Sequence, residues 1–203
     1  MKKPHFSLFV ALAGLVSLTA PGLLAQAPAP APPAAKNPIV VFQTSMGTIK
    51  AELLPDKAPG TVMNFLQYVN DKFYDGTIFH RVIDGFMVQG GGFDAKMVEK
   101  TTKRAPIKNE AKTGGKNLSG TLAMARTGDP DSATAQFFIN VVDNGRLDYR
   151  SDAPQEIGYC VFGKVIEGMH VVSKIKAVPT KTTGMYQNVP VTAVVIESAR
   201  VQK

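Results

Sequence analysis

The 203-residue chain has no tryptophan, three histidines and a single cysteine, Cys160. One cysteine cannot close an internal disulfide, so the fold must be held together by packing. Cys160 lies in the apolar run YCVFGKV with no histidine or acid close by in sequence, and it reads as a buried, inert thiol. His5, His80 and His170 are too scattered for a zinc site. The chain contains no GxSxG, no GxxxxGKS/T, no HExxH and no CxxC, which points away from hydrolases and nucleotide enzymes. Gly90-Gly91-Gly92 lacks the GxGxxG spacing and reads as a bend. No cofactor and no metal are expected. Charge is also modest: the formal net charge is +7, and two of the lysines stand at the extreme N-terminus. The densest basic run, EKTTKRAPIK over 99–108, has no interleaved aromatics and reads as a solvated loop, so nucleic acid is not an expected partner.

What is present begins with MKKPHFSLFVALAGLVSLTAPGLLAQA, two lysines ahead of an apolar run that ends on small residues. This is the layout of a secretory signal peptide over residues 1–25, with cleavage near Ala25 or Ala27. Gly14, Pro21 and Gly22 break the run, which disfavours a transmembrane anchor, so no stable membrane association is expected once the leader is removed. Residues 26–38 are rich in Pro and Ala without apolar periodicity and form an extended linker. Residues 39–203 are one domain, long enough to bury its own core.

Within that domain IVVFQTSMGTIKAELL reads as a hairpin turning near Gly47. Pro59 opens a helix whose Val62, Phe65, Leu66 and Val69 share one face, and the helix ends before Tyr74-Asp75-Gly76. TIFHRVI, FMVQ, GTLAMA, QFFINVV and YCVFGKVI follow as short strands. A second helix fits Glu167–Lys176, and TAVVIESARV closes the chain as a strand. About eight strands with two separated helices predict a mainly β fold, a closed eight-stranded antiparallel barrel capped by two helices.

The segments FHRVIDGFMVQGG (79–91), GTLAMAR (120–126), AQFFIN (135–140) and VFGKV (161–165) occur in that order. Together they resemble the cyclophilin family, over essentially all of the chain from Ile39 onward. PIKNEA, SATAQFFINV and MYQNVP look most like the periplasmic cyclophilins of Gram-negative bacteria, in agreement with the leader. The resemblance implies a peptidyl-prolyl cis-trans isomerase, exported to the periplasm, acting on proline-containing unfolded or flexible polypeptides and assisting the folding of exported proteins. A monomer is expected. A module that binds X-Pro peptides without turnover is the main rival reading, because one pocket and strand edge would serve either role.

The expected chemistry needs no covalent step. Rotation about X-Pro breaks amide resonance, a barrier of ~18–20 kcal/mol. In the twisted state the prolyl nitrogen regains its lone pair, so a fixed cationic donor aimed at it lowers the barrier selectively. By resemblance Arg81 is that catalytic group, since a guanidinium stays charged and presents a rigid fork of donors. Phe86, Met87, Phe138 and Leu147 match the walls of the proline pocket. Gln89 and Gln136 match polar groups beside it, the Ala125-Arg126 backbone matches the segment that pairs with substrate, and His80 is expected to orient neighbours through hydrogen bonds. Three positions depart from the best-known eukaryotic pattern: Arg146 replaces a typical tryptophan, Tyr159 a histidine and Arg126 a common asparagine. The Arg146 head is expected to stay hydrated or to find Asp143 or Asp148. Weak binding of cyclosporin, the cyclic peptide inhibitor associated with the family, is expected from the missing tryptophan.

Overall fold

The computed structural model describes Met1, residues 37–101 and residues 104–202, so the expected leader beyond Met1 and most of the expected linker lie outside the described residues. The chain enters the domain through a hairpin, β1 (Ile39–Thr44) and β2 (Gly47–Leu53). Ile49, Ala51 and Leu53 are buried while Lys50 and Glu52 face outward, the period-2 alternation of a strand with one face on the core. Gly47 has φ +128°, and a Cβ there would sit 2.9 Å from Val171. Only glycine meets both conditions.

The remaining elements are α1 (Pro59–Asn70), β3 (Thr77–Ile83), β4 (Met87–Asp94), a four-residue α2 (Ala111–Gly114), β5 (Thr121–Met124), β6 (Phe137–Asn140), a 3-10 turn (Gly145–Leu147), β7 (Val161–Glu167), α3 (Met169–Lys176), β8 (Thr180–Thr183), β9 (Tyr186–Pro190) and β10 (Val195–Val201). Eight strands close into an antiparallel barrel in the order β1-β10-β3-β4-β6-β5-β7-β2, as the sequence predicts. Inside it and beneath α1, Phe65 meets Phe162 at 4.9 Å, Tyr74 at 5.1 Å and Phe137 at 5.6 Å between ring centroids. Tyr74 is fully buried, and its hydroxyl donates to the Ala135 carbonyl at 2.8 Å. Cys160 is buried and free, and burial pushes its thiol up to about 11, the inert state expected of it.

Several features depart from the sequence reading. A third helical turn, α2, and a hairpin, β8–β9, join the two expected helices. Gly90–Gly92, read as a bend, runs inside β4, because the barrel needs bare backbone there: a Cβ on Gly91 would lie 2.8 Å from Tyr74, and one on Gly92 would lie 2.5 Å from Gln136. The helix placed at Glu167 starts at Met169, since Gly168 at φ +95° ends β7 and a Cβ there would meet the Thr48 carbonyl at 2.4 Å. The basic loop is tied down rather than simply solvated. Lys100 donates to the carbonyls of Phe73 and Asp75, and Arg104 pairs with Asp71, so both cations serve the turn that follows α1.

Helix α1 has Pro59 at its start and no capping side chain at Ala58. Its free amides are served from afar: the Glu110 carboxylate accepts from Gly60 N at 3.1 Å, Thr61 N at 2.8 Å and Thr61 Oγ1 at 2.7 Å. A carboxylate at a helix N-terminus both satisfies orphan donors and meets the positive end of the helix dipole. Glu110→Ala is therefore expected to cost about 2 kcal/mol, read as a fall of about 4–8 °C in the thermal midpoint. A shift of under a degree would show that α1 does not depend on this cap.

Candidate active site

The site is written across the outer face of the barrel. Cross-strand partners form one row: Arg81 on β3 faces Gln89 on β4, Gln89 faces Phe138 on β6, Phe138 faces Ala123 on β5, and Ala123 faces Val161 on β7. Directly opposed residues share a face of the sheet. Met87, Ala123, Phe138 and Val161 accordingly make a second apolar cluster, separate from the interior core, with Phe86, Leu147 and Tyr159 packed against it. The void it bounds is about 110 Å³, walled by Phe86, Met87, Phe138, Leu147 and Tyr159 and rimmed by Arg81, Gln89, Ala125 and Arg126.

Arg81 reaches this face through an irregularity. Phe79 pairs with Gly90 and Arg81 with Gln89, so His80 is an extra residue without a partner in the register. Phe79 and Val82 both belong to the interior core. With strict alternation Arg81 would share the inward face of Phe79; the bulge at His80 shifts the phase and turns Arg81 outward. Its guanidinium lies 5.9 Å from the Phe86 ring centroid, and Nη1 donates to Gln89 Oε1 at a long 3.4 Å. Gln89 Nε2 in turn donates to Gln136 Oε1 at 3.0 Å. Gln136 thus stands behind Gln89 rather than lining the pocket itself, and it lies over Gly92, where any side chain would displace it.

The walls come from segments far apart in sequence, and three asparagines that the sequence reading assigned no role tie them together. Asn144 Nδ2 donates to the Phe86 carbonyl at 2.8 Å and to Asn140 Oδ1 at 2.7 Å. Asn140 Nδ2 donates to Asn117 Oδ1 at 3.2 Å, and Asn117 Nδ2 to the carbonyls of Leu147 at 3.1 Å and Tyr159 at 3.3 Å. All three are buried. The one available signal was compositional, a polar residue ending the apolar strand FFIN.

The departing positions find specific partners. Arg126 lies over the Tyr159 ring at 4.6 Å and donates from Nε to the Gly158 carbonyl at 3.2 Å, while Tyr159 meets Phe138 edge-on at 5.7 Å. Arg146 takes neither expected carboxylate. Asp143 accepts from Ser119 N and Asp148 from Asn117 N and Lys116, and the Arg146 guanidinium stacks 4.4 Å over Phe86 instead. The Ala125 amide is already used, donating to the Gln136 carbonyl at 3.0 Å. Among the described residues no group of three or more His, Cys, Asp or Glu could hold a metal ion.

His80 takes no part in the Arg81–Gln89–Gln136 chain. It is buried against Phe93 at 4.6 Å, and its Nδ1 has no hydrogen-bond partner. Burial, chiefly, and the neighbouring Arg81 charge lower its pKa from the ordinary 6.5 to about 4. The unfolded chain therefore takes up this proton before the folded one does. The stability that neutral His80 contributes is complete above pH 6.5 and is lost as pH falls from 6.5 toward about 4, at up to about 1.4 kcal/mol per unit. Denaturant unfolding across this window should show that slope in the wild type and lose it in His80→Gln; equal slopes in both would contradict the assignment.

Comparison with known proteins bears on the same stretch of chain. The family of cyclophilin type peptidyl-prolyl cis-trans isomerases matches residues 39–201. Peptidyl-prolyl cis-trans isomerase B of Escherichia coli is 57% identical over 165 residues, covering 81% of this chain and 100% of the relative. A peptidyl-prolyl cis-trans isomerase of Acinetobacter baylyi is 58% identical over 167 residues, covering 82% and 86%. A solved cyclophilin type isomerase of Cryptosporidium parvum superposes with a TM-score of 0.70 at 25% identity, over 82% of this chain and 98% of its own. A bulged strand that presents an arginine beside an apolar pocket thus sits in a sequence shared along its length with these enzymes, and the chain belongs to the cyclophilin-type peptidyl-prolyl cis-trans isomerases.

Proposed function

We propose that this isomerase lowers the barrier to X-Pro rotation by setting the Arg81 guanidinium against the prolyl nitrogen while Phe86, Met87, Phe138 and Leu147 grip the ring. The observation that carries this reading is the outward turn of Arg81 at the His80 bulge, which stands a charged donor beside an apolar void of about 110 Å³. Bringing an exchange of tens of seconds to milliseconds takes roughly 6 kcal/mol of stabilisation given only to the twisted amide. A charged donor at a half-desolvated site is the type of group that supplies a share of this, because the planar amide offers it no lone pair on nitrogen. Gln89, held by Gln136, keeps the guanidinium in register. With the Ala125 amide occupied, the Ala125 carbonyl and the Arg126 amide remain for pairing with the substrate backbone. No proton moves and no metal is required. The leader-like N-terminus supports export to the periplasm, where flexible, proline-containing segments of exported proteins would be the substrates of a monomeric enzyme.

Arg81→Ala is expected to lower kcat/KM on a short Ala-Pro peptide by about a hundredfold with an unchanged circular dichroism spectrum. Arg81→Lys should recover only part of the loss, because a point charge lacks the planar fork. Near wild-type turnover in folded Arg81→Ala would overturn the assignment.

The second expectation concerns cyclosporin. Arg146 covers one face of the Phe86 wall with its guanidinium, where a tryptophan would present a flat apolar surface and an indole donor. Losing that contact should cost on the order of 2–4 kcal/mol, or roughly 30- to 1000-fold in affinity. Titrating the drug under identical assay conditions should show weak inhibition of the wild type and tighter inhibition of Arg146→Trp, with peptide turnover little changed. Equal inhibition of the two proteins would remove Arg146 from the drug's contact surface.

A further inference from the structure

A second cleft shares Arg81 and Gln89 with the proline pocket and none of that pocket's apolar walls. Its void is about 520 Å³, several times larger. Phe93 is the centre of its aromatic lining, meeting His80 at 4.6 Å and Tyr186 edge-on at 5.0 Å. Tyr186 begins β9, and the β8–β9 hairpin stands outside the barrel order with β9 packed on β3. The turn of this hairpin carries Met185, which is 86% exposed, more than any other large hydrophobic described after Met1. An apolar side chain held in water beside an aromatic surface leaves burial and sulfur–aromatic contact energy unused until a ligand arrives.

From these observations the geometry points to a subsite for a large apolar or aromatic side chain of the same polypeptide whose proline occupies the neighbouring pocket, received between Met185, Tyr186 and Phe93. The inference rests on the isomerase reading of the proline pocket. Continuity argues for one shared occupant, since Arg81 and Gln89 form the wall common to both spaces. Strand β4 also supplies a ruler: Met87 lines the pocket, Gln89 the boundary and Phe93 the cleft. The four steps from Gln89 to Phe93 span at most about 13 Å, which an extended peptide covers in three to four residues. The charged groups on the lining are Arg81 and Glu99, the latter held beside Phe93 by an isolated bridge. They are of opposite sign and the remaining polar lining, Gln89, Gln136, Gln187 and Asn188, is neutral, so substrate charge is not selected, and the apolar surface of Met185, Tyr186 and Phe93 is what favours bulk. Its consequence is a preference among flexible segments: a proline followed or preceded at that spacing by a bulky apolar residue is the better substrate.

The test uses the full domain and three peptides with a common Ala-Pro centre. One has Phe at the third and fourth positions before the proline, one has Phe at the third and fourth positions after it, and the reference has Ala at all of these. Exchange is followed by magnetisation-transfer NMR. One Phe peptide should exceed the reference by about tenfold in kcat/KM, carried by KM, and Met185→Ser should bring that ratio below about threefold. Met185 is exposed on a turn, so its replacement leaves the core untouched; Tyr186→Ser offers a second reduction of the same ratio. Ratios near one for both Phe peptides in the wild type would overturn the subsite, as would a tenfold preference that survives both substitutions. Turnover of the Ala reference reports the isomerase reading separately, so loss of the preference with intact reference turnover counts against the cleft alone.

Discussion

The site depends first on one extra residue in one strand. Because Phe79 pairs with Gly90 and Arg81 with Gln89, His80 has no place in the ladder, and the chain regains its register with its faces exchanged. Phe79 and Val82 then both point into the barrel while Arg81 between them points out. Pairing His80 into a regular ladder would instead give Arg81 the inward face of Phe79 and direct a guanidinium toward the aromatic core around Phe137, where an unpaired charge is strongly disfavoured. The bulge has a cost of its own: it buries an imidazole with one nitrogen unsatisfied, which is why His80 stays neutral to about pH 4. Packing on Phe93 offsets part of that penalty.

Once Arg81 is outside, the pocket needs walls that do not drift. A loop residue, a 3-10 turn and the approach to β7 contribute Phe86, Leu147 and Tyr159, and none of these segments is fixed by the barrel ladder. The buried chain Asn144–Asn140–Asn117 fixes them by taking up the Phe86, Leu147 and Tyr159 carbonyls. Buried amides of this kind are costly if any partner is lost, about 1–3 kcal/mol for each orphaned group. The network therefore favours a single arrangement of the walls. On the other side the Gly90–Gly92 run lets Gln136 lie against β4 and hold Gln89, so the backbone that closes the barrel also sets the polar partner of Arg81.

Local periodicity was sufficient wherever a strand or helix has one wet and one dry face. That made β1, β2 and α1 legible, whereas β3, buried on almost every residue, was read from its β-rich composition, and the motif segments held most of the residues that the fold gathers around the pocket, Leu147 and Tyr159 excepted. What escaped depends on contacts between distant residues. Gly90–Gly92 looks like a bend until Tyr74 and Gln136 are seen pressing on it. Glu110 is not recognisable as the cap of a helix that begins at Pro59. Arg146 is drawn to an aromatic face rather than to the nearby acids, because Asp143 and Asp148 already serve backbone amides. In the β8–β9 hairpin, β8 is the polar and largely exposed run TKTT and β9 buries only its last two residues, so neither strand has an apolar alternation to betray it.

If Arg81 acts on the twisted amide, it should matter to the rate and hardly at all to ground-state binding. Chemical-shift titration of an Ala-Pro peptide gives Kd for wild type and Arg81→Ala, and magnetisation transfer on the same samples gives the bound-state exchange rate. The account predicts a Kd within about threefold while the exchange rate falls by about a hundredfold. A parallel loss of affinity with an unchanged bound-state rate would make Arg81 a binding residue and contradict the account.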